Sequence, residues 1–207
     1  MSERTYNVLF ICTGNSARSI IAEAVLNQLG GGRFRAYSAG NQPLGQVNPL
    51  TLTTLQERKF DTSTLRSKSW DEFAAPDAPQ MDFIFTVCDK AGGESCPLWP
   101  GHPVTAHWGF VDPAAVEGTD EEKLKAFATT FREISQRLRI FLNLPFDRLD
   151  RMSLQNALRT MAEPNDRGAV SLPKDSAPPS CRRRRPRFGA ACATLLFRWL
   201  LPERGNH

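Results

Sequence analysis

No run of apolar residues in this sequence is long enough to cross a bilayer, which takes about 18, so no membrane span is expected. No secretory signal is expected either: the opening MSERTYNVLF has one short apolar run and no small-residue cleavage site. Cysteine is sparse and odd in number, five residues at irregular spacings. That excludes a paired extracellular disulfide framework. A reducing, cytoplasmic setting is expected, where cysteines are more often catalytic or metal-binding. Histidine is scarcer still, at three. Only His102 and His107 lie near Cys88 and Cys96, too few ligands at too long a spacing for zinc. Neither a G-K-[ST] phosphate loop nor a G-x-G-x-x-G turn occurs, and no internal repeat is visible.

A basic excess is also absent where it would matter. From residue 164 onward there are nine Lys and Arg against three Asp and Glu, a charge of +6. The total is +4, so residues 1–163 carry −2. This part has no electrostatic footprint for nucleic acid, and no nucleic-acid partner is expected.

What is present alternates between two patterns. Residues 6–11 (YNVLFI), 33–39 (RFRAYSA), 82–87 (DFIFTV) and 104–108 read as strands. Residues 19–29 read as a helix with Ile21, Val25 and Leu29 on one face, ended by Gly30 to Gly32. A helix is expected over 50–58 and another over 147–161. The clearest covers 119–142, where Leu124, Phe127, Phe131, Ile134, Leu138 and Phe141 step by three and four. Thr119 and Glu122 at its start form a capping-box pattern. Strands alternating with helices imply an α/β fold, a four-stranded parallel sheet flanked by helices on both faces. Ligands then bind beyond the carboxyl ends of the strands, where Cys12 and Cys88 both fall. Residues 164–207 differ in kind, with six prolines, the run Arg182 to Arg185, and then FGAACATLLFRWLL. This composition predicts a basic, proline-rich and largely disordered tail outside a 1–163 domain.

Between the first strand and the first helix lies Cys12-Thr-Gly-Asn-Ser-Ala-Arg18-Ser19, of the form C-x5-R-[ST]. A loop of this length closing on a helix N-terminus can turn successive amides of Thr13, Gly14, Asn15, Ser16 and Ala17 inward as an anion-binding nest. Gly14 permits left-handed backbone there, and Asn15 tolerates it. Arg18 offers a planar fork to two oxygens of a tetrahedral oxyanion. The same positive field favours the Cys12 thiolate, to which Ser19 can donate a hydrogen bond. The chemistry this predicts is a nucleophilic thiol meeting a tetrahedral oxyanion.

CTGNSARS after the first strand resembles the loop of the low-molecular-weight protein tyrosine phosphatases and of the arsenate reductases built on that fold. The resemblance implies that Cys12 attacks phosphorus or arsenic and that Asp112, in HWGFVDPAA, is the general acid. A phosphatase then needs only water. A reductase needs a second thiol to attack the Cys12–arsenic adduct and a third to take over the resulting disulfide. TVCDKAGGESCP supplies Cys88 and Cys96, with Gly92 and Gly93 between them, and resembles the reductases, as does the His-Trp-Gly-Phe run. Ala114 and Ala115 stand where tyrosine phosphatases carry aromatics that hold a phenol ring. Two departures stand out: the loop between the two cysteines is one residue longer than in thioredoxin-coupled reductases, and Ala17 replaces a frequent cysteine. The resemblance implies arsenate as substrate, with phosphate or sulfate as competing anions. The implied reductant is thioredoxin, or glutaredoxin with glutathione. The expected state is a monomer without a tightly bound cofactor. Some relatives hold a potassium ion against the loop; Asn15, Glu23 and Ser38 match part of that site, and Ser69 and Asp71 match it less well. The alternatives to a reductase are a phosphatase acting on phosphomonoesters and a non-catalytic oxyanion sensor.

Overall fold

The near-continuous apolar run YNVLFIC has nowhere to sit but between two covered faces, as a central parallel strand does. It forms β1 (Tyr6–Cys12), whose last five residues are buried. The structure is a computed structural model describing residues 4–88, 99–146 and 148–161. Cys96, the glycines beside it, Asp147, the 163/164 domain boundary, the tail and its Cys181 and Cys192 lie outside the described residues.

Strands β2 (Phe34–Gly40), β3 (Phe83–Thr86) and β4 (Val104–His107) join β1 in the order β2-β1-β3-β4, every neighbouring pair parallel. Val8 lies beside Ala36 on one side and Phe83 on the other, and Cys12 lies level with Gly40. The helices are α1 (Arg18–Leu29), α2 (Pro49–Gln56), α3 (Asp71–Ala74), α4 (Asp120–Leu142) and α5 (Arg151–Thr160), with a 3-10 turn at Pro113–Ala115. The chain leaves β1 for β2 on one side and returns to β3 on the other. That makes the carboxyl end of β1 beside β3 the topological switch point, where α/β folds bind ligands.

Both faces of the sheet are covered. Phe10, Phe34, Phe83 and Phe85 share one face, on which Phe141 of α4 packs with ring centroids 5.2 Å from Phe34 and 5.4 Å from Phe85. Trp108 stacks on Phe85 at 4.0 Å, and its indole N–H donates to the Leu158 carbonyl of α5 at 3.1 Å. On the other face Phe73 of α3 meets Tyr37 at 5.4 Å. Strand β2 is an edge, and Asn27 of α1 serves it: its side-chain carbonyl accepts from Ala36 N–H at 2.8 Å and its amide donates to Ala36 O at 3.0 Å.

The expected elements are found within a few residues, with two differences. Helix α1 is buried nearly all round from Ser19 to Leu26 rather than along one stripe. Its outer side is covered as well, because Ile20 and Ala24 pack with Leu55 of α2 and with Phe131 of α4. Helix α3, only four residues long, carries no periodic signal in the sequence.

Candidate active site

Helix α1 begins without a side-chain cap: Ala17 occupies the N-cap position, so no side chain satisfies the first amides. An uncapped N-terminus at the end of a strand is where an anion binds. The Cys12 thiol stands before it. Asn15 N–H donates to Cys12 Sγ at 3.2 Å, and Ser19 Oγ lies 2.9 Å from the same sulfur.

Of the two residues that the sequence offered for left-handed backbone, Asn15 takes it, with φ of 44°, and Gly14 does not. Gly14 answers to space instead, since a Cβ there would lie 3.2 Å from Leu44 Cγ. Asn15 is fully buried and every polar atom of its side chain is used. Its Oδ1 accepts from Lys68 N–H at 2.8 Å, which fixes the orientation of the amide. Its Nδ2 donates to Ser19 Oγ at 2.9 Å and to Ser38 Oγ at 2.8 Å. Because Ser19 Oγ accepts from Asn15, the Ser19 hydrogen is left for Cys12 Sγ.

Burial pushes the Cys12 thiol up from its ordinary value, the Ser19 hydroxyl opposes this, and a negative charge on Cys88 adds to it. Arg18 does not offset the burial, because its guanidinium is engaged elsewhere. It donates to Asp112 Oδ2 at 2.6 Å and to the Phe110 carbonyl at 2.9 Å. Asp112 also accepts from Ala114 N–H at 3.1 Å, which opens the 3-10 turn, and Ala114 and Ala115 are exposed. The structure thus brings Cys12, Ser19, Arg18 and Asp112 to one rim.

Cys88 follows β3 on the neighbouring strand end and is buried. Its sulfur lies 3.5 Å from Thr13 Oγ1, the first residue of the loop. A second thiol therefore borders the nest that holds the first.

Residues 7–155 match the family model of low molecular weight phosphotyrosine protein phosphatases. The chain belongs to that family. Relatives include the arsenate reductase of Bacillus subtilis, 38 % identical over 134 residues, spanning 65 % of this chain and 93 % of that protein. The arsenate reductase of Bacillus licheniformis is 38 % identical over 141 residues, spanning 68 % of this chain and 96 % of that protein. Among solved structures, an arsenate reductase from Archaeoglobus fulgidus superposes with a TM-score of 0.53 at 27 % identity, over 66 % of this chain and 99 % of that one.

The potassium expectation does not fit this member of the family. Lys68 Nζ lies 3.2 Å from Glu23 Oε2 and 3.4 Å from Ser38 Oγ, so an ammonium group already occupies the place proposed for the ion. Ser69 and Asp71 bond to each other at 2.8 Å on an exposed turn. Burial pushes the Glu23 carboxyl up, and Lys68 and Ser38 pull it back. The sequence reading missed Lys68 because a lone lysine in LRSKSW looks like a solvated one. The available signal was Glu23, a carboxylate between Ala22 and Ala24 in an otherwise apolar helix segment.

Proposed function

We propose that this chain is an arsenate reductase in which Cys12 attacks arsenate and Cys88 and Cys96 carry the oxidation away. The observation that carries the reading is Cys88, a buried thiol at the switch point beside the loop that holds Cys12. A phosphatase has no use for it. The named relatives, alike over nearly their whole length, support the same reading.

Arsenate enters the nest and takes the Arg18 fork from Asp112, which frees that carboxyl to face the departing oxygen. The Cys12 thiolate attacks arsenic, and one As–O bond breaks as Asp112 protonates the departing oxygen, which leaves as water. The Cys88 thiolate then attacks Cys12 Sγ. The S–As bond breaks with its electron pair staying on arsenic, so As(V) leaves as arsenite, As(III), and a Cys12–Cys88 disulfide remains. The Cys96 thiolate attacks the Cys88 sulfur and releases Cys12 for another cycle. An external dithiol reduces the Cys88–Cys96 disulfide: thioredoxin, or else glutaredoxin with glutathione. The cycle needs a reducing compartment and only one chain. Phosphate and sulfate share arsenate's shape and compete for the loop.

The phosphatase reading shares the first step and draws on the family model itself. It lacks an aromatic cradle for a phenol ring at Ala114 and Ala115. Incubation with arsenate, thioredoxin, thioredoxin reductase and NADPH decides between the two. The wild type consumes NADPH only when arsenate is present; Cys88→Ser does not, yet keeps activity on a chromogenic phosphate ester. Absence of arsenate-dependent turnover with both thioredoxin and glutaredoxin overturns the reductase reading.

A further inference from the structure

Glu23 is 8 % exposed and Lys68 is 7 % exposed, in an interior where a lone charge of either sign is untenable. The ammonium of Lys68 has three hydrogens and three acceptors: Glu23 Oε2 at 3.2 Å, the Arg66 carbonyl at 3.2 Å and Ser38 Oγ at 3.4 Å. The backbone of the same residue braces the loop on both sides. Its N–H donates to Asn15 Oδ1 at 2.8 Å, and its carbonyl accepts from Gly40 N–H at 2.9 Å.

The hydrogens in this network run outward from Asn15, toward Glu23 through Ser38 and toward Cys12 through Ser19. Ser38 donates to Glu23 at 2.5 Å, so its oxygen is left to accept from Asn15. Asn15 spends its other N–H on Ser19, and Ser19 spends its hydrogen on Cys12 Sγ. Ser38 thereby ties the Glu23 carboxylate to Asn15, and the Lys68 ammonium lies against both Ser38 and Glu23.

We propose that Lys68 is a tethered cation that serves this loop in place of a bound monovalent ion. It pairs with Glu23 and Ser38, holds Asn15 through Ser38 and through its own N–H, and through Ser19 it positions the Cys12 thiol. It also makes the enzyme indifferent to potassium. Lys68 is a positioning residue and touches no substrate. The inference needs only that Cys12 is the reacting thiol, whichever oxyanion it attacks.

The test uses two readouts that need no arsenate: the rate of Cys12 alkylation by iodoacetamide across pH, and the melting temperature. Each is measured in choline, potassium and ammonium chloride. Wild type gives the same values in all three. Lys68→Ala opens space beside Glu23, Ser38 and the Arg66 carbonyl. In choline it alkylates roughly tenfold more slowly, the scale of losing an outer partner of a bound ion, and it melts lower. Potassium or ammonium restores both. Lys68→Ala combined with Glu23→Gln leaves no charge to match, so it responds to neither ion. If Lys68→Ala does not fold in choline, refolding in potassium reads the same question: recovery supports the proposal, and failure in every salt overturns it. A wild type activated or stabilised by potassium overturns it, as does a Lys68→Ala variant that ignores both ions or a double variant that responds like the single one.

Discussion

A buried thiol resists ionisation, and Cys12 is only 4 % exposed, with its sulfur against Ser19 and the Asn15 amide. The cation best placed to help, Arg18, is matched by Asp112 at 2.6 Å. Burial raises the thiol above its ordinary value, and the pairing withholds the Arg18 charge that would lower it. Removing the Asp112 carboxylate reverses the second effect, because the guanidinium then acts on the thiol uncompensated. Asp112→Ala should therefore lower the pH midpoint of Cys12 alkylation relative to wild type. The same variant should turn over arsenate about 10²- to 10⁴-fold more slowly, the usual worth of a general acid. An unchanged midpoint would show that Arg18 exerts no hold on the thiol. At this scale residue types were legible in the sequence and conformations were not. The C-x5-R-[ST] spacing pointed to Cys12, Arg18 and Ser19. That Asn15 and not Gly14 takes the left-handed turn depends on Lys68 and Ser38, which are distant in sequence.

At the scale of elements, local rules sufficed where a segment carries its own stop signals. Helix α4 starts at a capping box: Glu122 N–H donates to Thr119 Oγ1 at 3.3 Å, and Thr119 N–H donates to Glu122 Oε2 at 2.8 Å. Thr119→Ala removes the first of these bonds and should cost about 1 kcal/mol. For a chain of this size that lowers the melting temperature by about 2–4 °C. Since the Thr119 cap is exposed and shares no bond with the site residues, alkylation of Cys12 should be unaffected. A matching loss of thiol reactivity would mean that the helix start is coupled to the site. Helix α1 was harder to read. Its apolar positions predicted one buried stripe, yet Glu23 and Ser19 are buried too, because α2 and α4 close over its outer side and Lys68 neutralises the carboxylate. Amphipathic periodicity records which residues prefer burial, and it is blind to polar groups that are buried in pairs.

Over the whole molecule the question is where the domain ends. The family model matches only to residue 155, but the packing continues further. Leu158 is fully buried, Leu154 is 8 % exposed, and the Leu158 carbonyl is the partner of the Trp108 indole N–H. Trp108 in turn stacks on Phe85 of β3, one residue before the strand end that leads to Cys88. Helix α5 therefore supports the rim from beneath. A chain ending before Arg151 would expose two leucine sites worth about 1.5–3 kcal/mol each. It would also leave the Trp108 donor unpaired at about 1–3 kcal/mol. Against a total stability of about 5–15 kcal/mol this should abolish cooperative melting or lower it severely. A chain ending after Glu163 keeps every one of these contacts, so it should melt and alkylate like the full chain and should reduce arsenate at the same rate. Calorimetry and the NADPH assay on the two truncations check both expectations. If the chain ending after Glu163 loses its melting transition, residues beyond 163 are part of the fold, and the −2 charge assigned to the catalytic domain no longer describes it.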